Sequence, residues 1–304
     1  MKFLKGCLSS LRKQSFTDFE TVMVDNGSDD ESVRFVQEHF PEVRIVALEE
    51  NTGFCHAVNL GIQKTDAEYV LLLNNDTVCG RHMVGELVRA LEKRPRAFSC
   101  AARMISLYDK SKLDDAGDFY CALGWAFARG KGKDARKYLR AQKIFACCAA
   151  AAIYRREMLS EVGLFDEAHF AYLEDIDLGY RAQLHGYENW YIPSAVVYHA
   201  GSGTSGSTHN AFKVSLSSRN SIYLIKKNMP LWQVILNLPL LTAGILIKGV
   251  YFTKKGFGRQ FWSGTLKGFC MDAGDSKTAG NMGVFLTIQL QLWVNTFIRV
   301  GELT

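Results

Sequence analysis

The chain has 304 residues, 48% of them hydrophobic and 22% charged, so it can hold one large α/β domain with an appendage or two domains, and gross disorder is excluded. Its net charge of +5 is mild and does not indicate nucleic-acid binding, which usually needs a concentrated basic surface. The eight cysteines include no Cys-x-x-Cys pair, so we interpret them as reduced thiols of a cytosolic protein and predict no zinc site.

The N-terminal part of the chain alternates between helical patterns and short apolar runs. Leu4, Leu8 and Leu11 recur at i, i+4 and i+7 and predict a first helix. Strands are predicted at residues 19–24, 43–48 and 69–73, and helices at residues 31–40 and 54–64. This alternation predicts a mostly parallel central sheet covered on both faces, in which ligands bind beyond the carboxyl ends of the strands.

Two polar turns follow predicted strands, at residues 25–30 and 74–77. A carboxylate such as Asp76 at a strand end can hold Mg²⁺ or Mn²⁺ against a diphosphate, because these hard cations take oxygen ligands. Asn and Asp are also ordinary turn formers, and for the turn at Asp76 taken alone that explanation is the favoured one. Gly53 and Phe54 begin a helix, where a phosphate is favoured, although the start of a helix by itself explains the glycine.

The later part of the chain is predicted to hold a helix at residues 173–184 and one or two strands at residues 189–198. Glu174, Asp175 and Asp177 fall in the first turns of that helix. They are either favourable partners of the helix dipole or a general base with a neighbouring acid. A lone histidine such as His199 at a strand end is often structural, but together with Asp76 it makes a nitrogen–oxygen pair suited to Mn²⁺.

These segments together resemble the family 2 glycosyltransferases of the GT-A fold, and most of all their rhamnosyltransferase-like branch. The matching motifs are Val-Asp-Asn-Gly-Ser (24–28), Glu-Asn-Thr-Gly-Phe (50–54) with Asn59 and Gly61, Leu-Leu-Asn-Asn-Asp-Thr (72–77), Val-Gly-Leu-Phe-Asp-Glu (162–167), Tyr-Leu-Glu-Asp-Ile-Asp-Leu (172–178), Tyr-His (198–199) and Arg-Asn (219–220). They occur in the family's order over roughly residues 1–230. One match would be weak, whereas the ordered set is strong.

The resemblance implies a role for each matching residue. Asp175 corresponds to the catalytic base, and Asp25 to the acid that reads the nucleotide base. Asp76 corresponds to the last acid of an Asp-x-Asp-type metal motif and His199 to a further metal or diphosphate ligand, so the implied cofactor is Mg²⁺ or Mn²⁺. The other implied nucleotide- and donor-binding positions are Asn26, Gly53, Phe54, Asn59, Asn75 and Glu174.

The implied activity is inverting transfer of a sugar. The base removes a proton from an acceptor hydroxyl, which attacks the anomeric carbon from the face opposite the leaving nucleotide. We expect dTDP-rhamnose or a UDP-sugar as donor, a lipid-linked or cell-surface glycan as acceptor, and a peripheral location at the cytoplasmic face of a membrane. The open alternatives are another donor (UDP-galactofuranose, a UDP-hexose or a UDP-N-acetylhexosamine) and an inactive nucleotide-sugar-binding scaffold.

The chain departs from the family pattern in two places. Ala168 and His169 stand where the branch usually has Arg and Phe. The family's first strand, which precedes the first helix, is absent, so the strand at 19–24 lacks a neighbour, and each buried unpaired backbone group costs about 1–3 kcal/mol. We therefore expect either a natural start about 10–15 residues upstream, or a gap or a substitute strand in the sheet.

The composition divides the chain into a GT-A catalytic domain at residues 1–230 and a hydrophobic, basic helical region at 231–304 that we expect to associate with a membrane. Apolar stretches at 231–247 and 284–300 flank a basic, aromatic segment. Gln233, Asn237 and Pro239 interrupt the first stretch and favour helices that lie in the interface over a membrane span. The alternative is a helical pair buried against the catalytic domain.

Overall fold

The computed structural model describes residues 1–201, 209–274 and 280–303. Its first elements are α1 (Leu4–Leu11), β1 (Val22–Asn26), α2 (Ser32–His39), β2 (Arg44–Leu48), α3 (Phe54–Gln63) and β3 (Tyr69–Leu73). The predicted order is confirmed. The first strand begins and ends later than predicted, because Asp25 and Asn26 continue the ladder with β2 instead of forming a turn.

The middle and last parts of the chain complete the fold. The middle elements are β4 (Thr77–Cys79), α4 (Met83–Glu92), β5 (Ala97–Ser106), β6 (Leu113–Asp115), β7 (Asp118–Tyr120), β8 (Ala126–Ala128), β9 (Gln142–Ile144), β10 (Ala151–Arg155), α5 (Arg156–Val162), α6 (Glu174–Leu184) and β11 (Glu188–His199). Four helices follow: α7 (Ala211–Asn228), α8 (Leu231–Lys254), α9 (Gly258–Cys270) and α10 (Met282–Leu303).

The main sheet has seven strands, in the order β3-β10-β5-β11-β4, with β6 added to β5 and β9 to β11. Only β5 and β11 pair in parallel, and the other pairs of this sheet are antiparallel. The prediction of a mostly parallel sheet is therefore wrong for this sheet, although the α/β class is right. Strand β10 reaches the sheet without a crossover helix and runs opposite to β3 and β5, as antiparallel neighbours can. The short strands β4, β6 and β9 also run opposite to the strands with which they pair.

A gap interrupts the sheet between β1 and β3. Strand β1 pairs in parallel with β2, and β3 pairs with β10; within the described ranges neither has a partner on its other edge. Met23 and Leu71 pack towards α1, whereas Val70 packs into the core that α3 covers from the opposite face. The structure therefore shows the gap that was one of the expected outcomes, with a helix over each face.

The C-terminal helices pack through a polar inner face. Asn237 of α8 and Gln289 of α10, both buried, exchange two amide hydrogen bonds of 2.8 and 2.9 Å. Tyr180 of α6 donates to Gln233 at 2.7 Å. Gln233 and Asn237, two of the residues that interrupt the apolar stretch, thus point inwards and tie α8 to α6 and to α10, whereas Pro239 is exposed. Leu292 shares one hydrophobic cluster with Tyr180, so the division at residue 230 stays a prediction.

The outer face of these helices is apolar. Large side chains with at least 36% of their surface exposed occur along all three helices: Leu231, Ile235, Leu236, Leu238, Leu240, Leu246, Ile247, Val250 and Tyr251 on α8, Trp262, Leu266 and Phe269 on α9, and Met282, Leu286, Leu290, Trp293, Val294, Phe297, Ile298 and Val300 on α10. We call this set the apolar platform. Among the described residues, one helix, Leu231–Lys254, is long and apolar enough to cross a membrane.

Candidate active site

Asp76 and His199 meet at one end of the main sheet. Asp76 immediately precedes β4, His199 ends β11, and these strands pair antiparallel. His199 Nε2 lies 3.2 Å from Asp76 Oδ1. Neighbouring ligands of an octahedral ion with bonds of about 2.1 Å lie about 3.0 Å apart, so the nitrogen–oxygen pair fits a divalent ion such as Mg²⁺ or Mn²⁺. Their role as metal ligands stays a prediction.

Asp114 holds the other side of the imidazole. His199 Nδ1 donates to Asp114 Oδ2 at 2.7 Å, and Lys131 pairs with the second oxygen at 3.0 Å. Burial alone would lower the pKa of His199, but its hydrogen bonds to Asp114 and Asp76 outweigh burial and raise the pKa to about 9. A carboxylate behind a histidine is the usual support of a metal ligand. The sequence reasoning missed Asp114 because residues 109–118 resemble a polar loop.

Asp175, the candidate catalytic base, lies close to the carboxyl groups of other acidic residues. Asp118, at the start of β7, donates a hydrogen bond to the half-buried Asp175. Burial raises the pKa of Asp115 to about 7 and that of Asp118 well above its usual range. Burial also raises the pKa of Asp175, but backbone N–H groups and Asp118 stabilise its anion. Asp118 therefore keeps its proton while Asp175 is the favoured site of the negative charge.

Glu174 is the buried neighbour of this base. It is 8% exposed, and one of its carboxyl oxygens has no hydrogen-bond partner. Burial and the nearby Asp175 raise the pKa of Glu174 to about 8. Glu174 is thus largely neutral at pH 7, a state in which it leaves the charge on Asp175 and has one polar oxygen available.

Strand β6 connects the acidic residues around His199 with those around Asp175. Its consecutive residues Asp114 and Asp115 are about 3.8 Å apart at their Cα atoms and alternate in direction. Asp114 bonds to His199, whereas Asp115 contacts Asp118 in the group around Asp175. The candidate metal pair and the candidate base therefore belong to one continuous acidic site.

The end of β1 forms a second edge of the site, built by Asn26. Its amide nitrogen donates to Asn51 and to the carbonyl of Gly53, both at 3.1 Å, and its amide oxygen accepts from Thr52. Asp25, 8% exposed, accepts from the N–H of Ser28 at 3.1 Å. Asn26 is therefore engaged in holding the turn, which makes it a support of this edge.

The remaining predicted donor positions differ in where they lie. Asn75 is exposed at the turn before Asp76. Phe54 packs its ring against Phe165, and the next N–H of α3 is bonded to Phe170. Asn59 is 5% exposed and exchanges two hydrogen bonds with the backbone of Phe165, of 2.8 and 3.0 Å. The structure thus favours a bracing role for Asn59 over a donor contact.

The segment that leads to Asp175 has an unusual backbone. Phe170, Tyr172 and Leu173 have φ angles of 61°, 72° and 68°. Non-glycine residues in this region each cost on the order of 1–3 kcal/mol, and such strain persists only where the surroundings hold it. A side chain at Gly53, whose φ is 92°, would meet the ring of Phe170 at 2.6 Å, so this segment also packs on the turn of the β1 edge.

Asp177 does not reach the site. It is fully buried and binds Arg181 at 2.9 Å, Lys227 at 3.0 Å and Asn228 at 2.8 Å. The Lys227 ammonium also lies 2.6 Å from Asp166, so a cation of the protein already occupies this acidic group. Asp177 is therefore structural in this fold.

Comparison with solved structures identifies the fold. The chain aligns with GalNAc-T7, whose structure contains UDP, GalNAc and Mn²⁺, at a TM-score of 0.60 and 15% identity over 76% of this chain and 46% of that one. It also aligns with the mannosyltransferase PcManGT from Pyrobaculum calidifontis, in complex with GDP-Man and Mn²⁺, at 0.54 and 15% over 88% and 83%. The α/β arrangement described above is thus the GT-A glycosyltransferase fold.

The sequence then places the chain in its family. The profile of glycosyl transferase family 2 matches residues 1–163, so the chain belongs to this family and is a glycosyltransferase. It is 26% identical over 252 residues to N-acetylglucosaminyl-diphospho-decaprenol L-rhamnosyltransferase from Mycobacterium tuberculosis, covering 76% of this chain and 82% of that protein. The resemblance found in the motifs is confirmed.

Proposed function

We propose that this glycosyltransferase moves rhamnose or a similar sugar, with inversion, from a nucleotide-diphosphate donor to a hydroxyl of a lipid-linked glycan. The mycobacterial relative is named for rhamnosyl transfer to a diphospho-decaprenol-linked sugar and aligns over most of both chains. Its identity of 26% supports dTDP-rhamnose as the first donor to test, with UDP-sugars as the alternatives.

The observation that carries this proposal is the continuity of the acidic site. Asp114 bonds to His199, while the adjacent Asp115 belongs to the cluster of acidic residues around Asp175. A transfer reaction needs a charge-neutralising group at the leaving diphosphate and a base at the incoming hydroxyl, a short distance apart. Strand β6 sets this distance, because its consecutive residues Asp114 and Asp115 contact the candidate metal pair and the cluster around the candidate base.

Each residue then has a definite task. Asp76 and His199 would hold Mg²⁺ or Mn²⁺, which when bound neutralises charge on the departing diphosphate. Asp175 accepts the proton of the acceptor hydroxyl, and Asp118 donates to its carboxylate and keeps it oriented. Asp25, Asn26 and the turn at Gly53 form the edge at which the nucleotide base and ribose are bound.

The apolar platform supports a membrane surface as the third partner. Gln233, Asn237 and Gln289 of α8 and α10 point inwards, whereas the apolar side chains of the platform are exposed, the reverse of a helix pair that faces water. Lys254, Lys255, Arg259 and Lys267 accompany it and suit anionic lipid. We propose peripheral binding at the cytoplasmic face, where a lipid-linked acceptor is within reach.

The proposal is tested by a donor panel with the full chain. Thermal shifts are measured with dTDP-rhamnose, UDP-galactofuranose, UDP-glucose and UDP-N-acetylglucosamine, each with and without Mn²⁺, and transfer to a polyprenyl-diphosphate-linked N-acetylglucosamine is followed in parallel. We expect a metal-dependent shift and transfer with dTDP-rhamnose. If transfer occurs only with a UDP-sugar, that sugar nucleotide and not dTDP-rhamnose is the donor. Binding without any transfer or donor hydrolysis favours the inactive scaffold.

A further inference from the structure

The motif Arg219-Asn220 has no role in the chemistry described so far, yet it touches the segment that carries Asp175. Asn220 lies in the middle of α7 and is fully buried. Its amide nitrogen donates to the carbonyl oxygens of His169, Ala171 and Tyr172 at 2.9, 2.9 and 2.7 Å. A single side chain therefore binds three carbonyl groups of residues 168–173, the segment in which three residues have positive φ angles.

Arg219 completes this contact. Its Nη2 donates to the carbonyls of Ala168 and His169, both at 2.8 Å. Its Nε donates to Oδ1 of Asn220 at 2.9 Å, which fixes the amide with its nitrogen towards the segment. The two side chains thus bind the carbonyl groups of Ala168, His169, Ala171 and Tyr172, just before α6 begins.

The geometry points to Arg219 and Asn220 as positioning residues for Asp175. Within residues 168–173, Phe170, Tyr172 and Leu173 adopt positive φ, and α6 begins directly afterwards with Glu174. The direction of the first turn of α6, and hence the contact of Asp175 with Asp118, depends on that backbone being held. This inference rests on the proposed role of Asp175 as the base.

Helix α7, which carries both side chains, is itself packed against α9. Helix α9 crosses α7 closely: a side chain at Gly268 would meet the carbonyl oxygen of Arg219 at 2.4 Å. Asp76 and His199 are held separately, by β4 and β11. Loosening the segment should therefore reduce turnover while leaving metal binding largely unchanged.

The test compares Asn220→Ala, Arg219→Ala and Arg219→Lys, with Ser221→Ala on the same helix as the control. We expect the first two to lower kcat by about 10- to 100-fold, because a small misplacement of a reacting group has an effect of this size. The Mn²⁺ affinity should change less than about 3-fold, because Asp76 and His199 are held outside this segment. Arg219→Lys, which keeps a cationic donor, should recover part of the turnover, and Ser221→Ala should behave as wild type.

Hydrogen–deuterium exchange supplies a readout that does not need activity. Peptides covering residues 168–174 should exchange faster in Asn220→Ala and Arg219→Ala, while β5 and β11 keep their protection. If Asn220→Ala fails to fold, the two Arg219 variants decide. Wild-type kcat in Arg219→Ala, or a loss of kcat with unchanged exchange at 168–174, overturns the inference.

Asp175→Asn is measured alongside, to separate the two proposals. An active Asp175→Asn variant refutes the base assignment, whatever the α7 variants do. An inactive Asp175→Asn variant together with a fully active Arg219→Ala variant refutes only the positioning role.

Discussion

His199 Nδ1 and Asp114 Oδ2 lie 2.7 Å apart, and this bond directs the opposite nitrogen of the ring at Asp76. We expect Asp114→Ala to weaken Mn²⁺ binding by about 10- to 100-fold, the usual cost of losing such a supporting carboxylate. Isothermal titration of the ion-free protein measures it, with Asp66→Ala, an exposed carboxylate elsewhere, as control. Unchanged affinity in Asp114→Ala would show that Asp114 does not support a metal ligand.

Metal binding should release a proton from His199. Its pKa of about 9 in the ion-free protein lies above the usual value, so the ring is protonated at pH 7 and must lose a proton to ligate. Mn²⁺ affinity should therefore rise with pH up to about 9 and level off above it. Titration at pH 7 in buffers of different ionisation enthalpy counts the protons. Equal heats in every buffer would contradict His199 as a ligand.

Asp175→Asn should remove most transfer activity and leave donor binding intact, because an amide cannot accept the proton. The expected loss is about 10²- to 10⁴-fold in kcat. Asp177→Asn should instead lower stability, by about 3–5 kcal/mol, because it leaves Arg181 and Lys227 without their buried partner. Thermal unfolding and single-turnover transfer separate the two. Near-normal turnover in Asp175→Asn with loss in a folded Asp177→Asn would move the base to Asp177.

Asp118 should set the acid limb of the pH–rate profile. Its hydrogen bond stabilises the Asp175 anion, so Asp118→Ala should raise the pKa of Asp175 and move the acid limb of kcat towards higher pH. Asp118→Asn keeps a hydrogen-bond donor in the same place and should leave that limb close to wild type. Identical profiles for the two variants would mean that Asp118 does not act through Asp175.

The apolar platform should bind anionic vesicles. Truncation at residue 231 is a poor test, since Leu292 packs in the same cluster as Tyr180 and its removal would expose the core. We expect the full chain to float with phosphatidylglycerol vesicles and the double variant Leu266→Glu/Phe297→Glu to stay unbound. These side chains are 65% and 79% exposed, so folding should be preserved. Leu139→Glu, at a residue 58% exposed outside these helices, is the control. Equal flotation of the double variant would contradict membrane binding by this face.

The sequence predicted best where local pattern and tertiary structure agree. Tyr69–Leu73 is the strand predicted, since it is apolar throughout and bounded by polar turns. The pairing of Asp76 with His199 was accessible because both follow strands whose ends meet at one edge.

Other features depend on contacts that no local pattern records. The reversed strand β10 is short and rich in alanine, and its place between β3 and β5 is set by the whole sheet. Asp114, Asp115 and Asp118 look like a solvated loop in sequence, yet the last two are buried beside Asp175. Gln233 and Asn237 appear as interruptions of an apolar stretch, and only the packing of α8 on α10 shows that they face inwards.

The break in the sheet divides the site mechanically. Asp25, Asn26 and the turn at Gly53 belong to the β1–β2 ribbon, which no backbone ladder joins to the main sheet within the described residues. Asp76, His199 and Asp175 belong to the larger sheet and its helices. We therefore expect the ribbon to open as a unit at a lower free energy than the main sheet, as hydrogen–deuterium exchange would measure. A nucleotide sugar that contacts both parts would hold the ribbon against the main sheet. Donor binding would then stabilise the fold as well as supply the substrate.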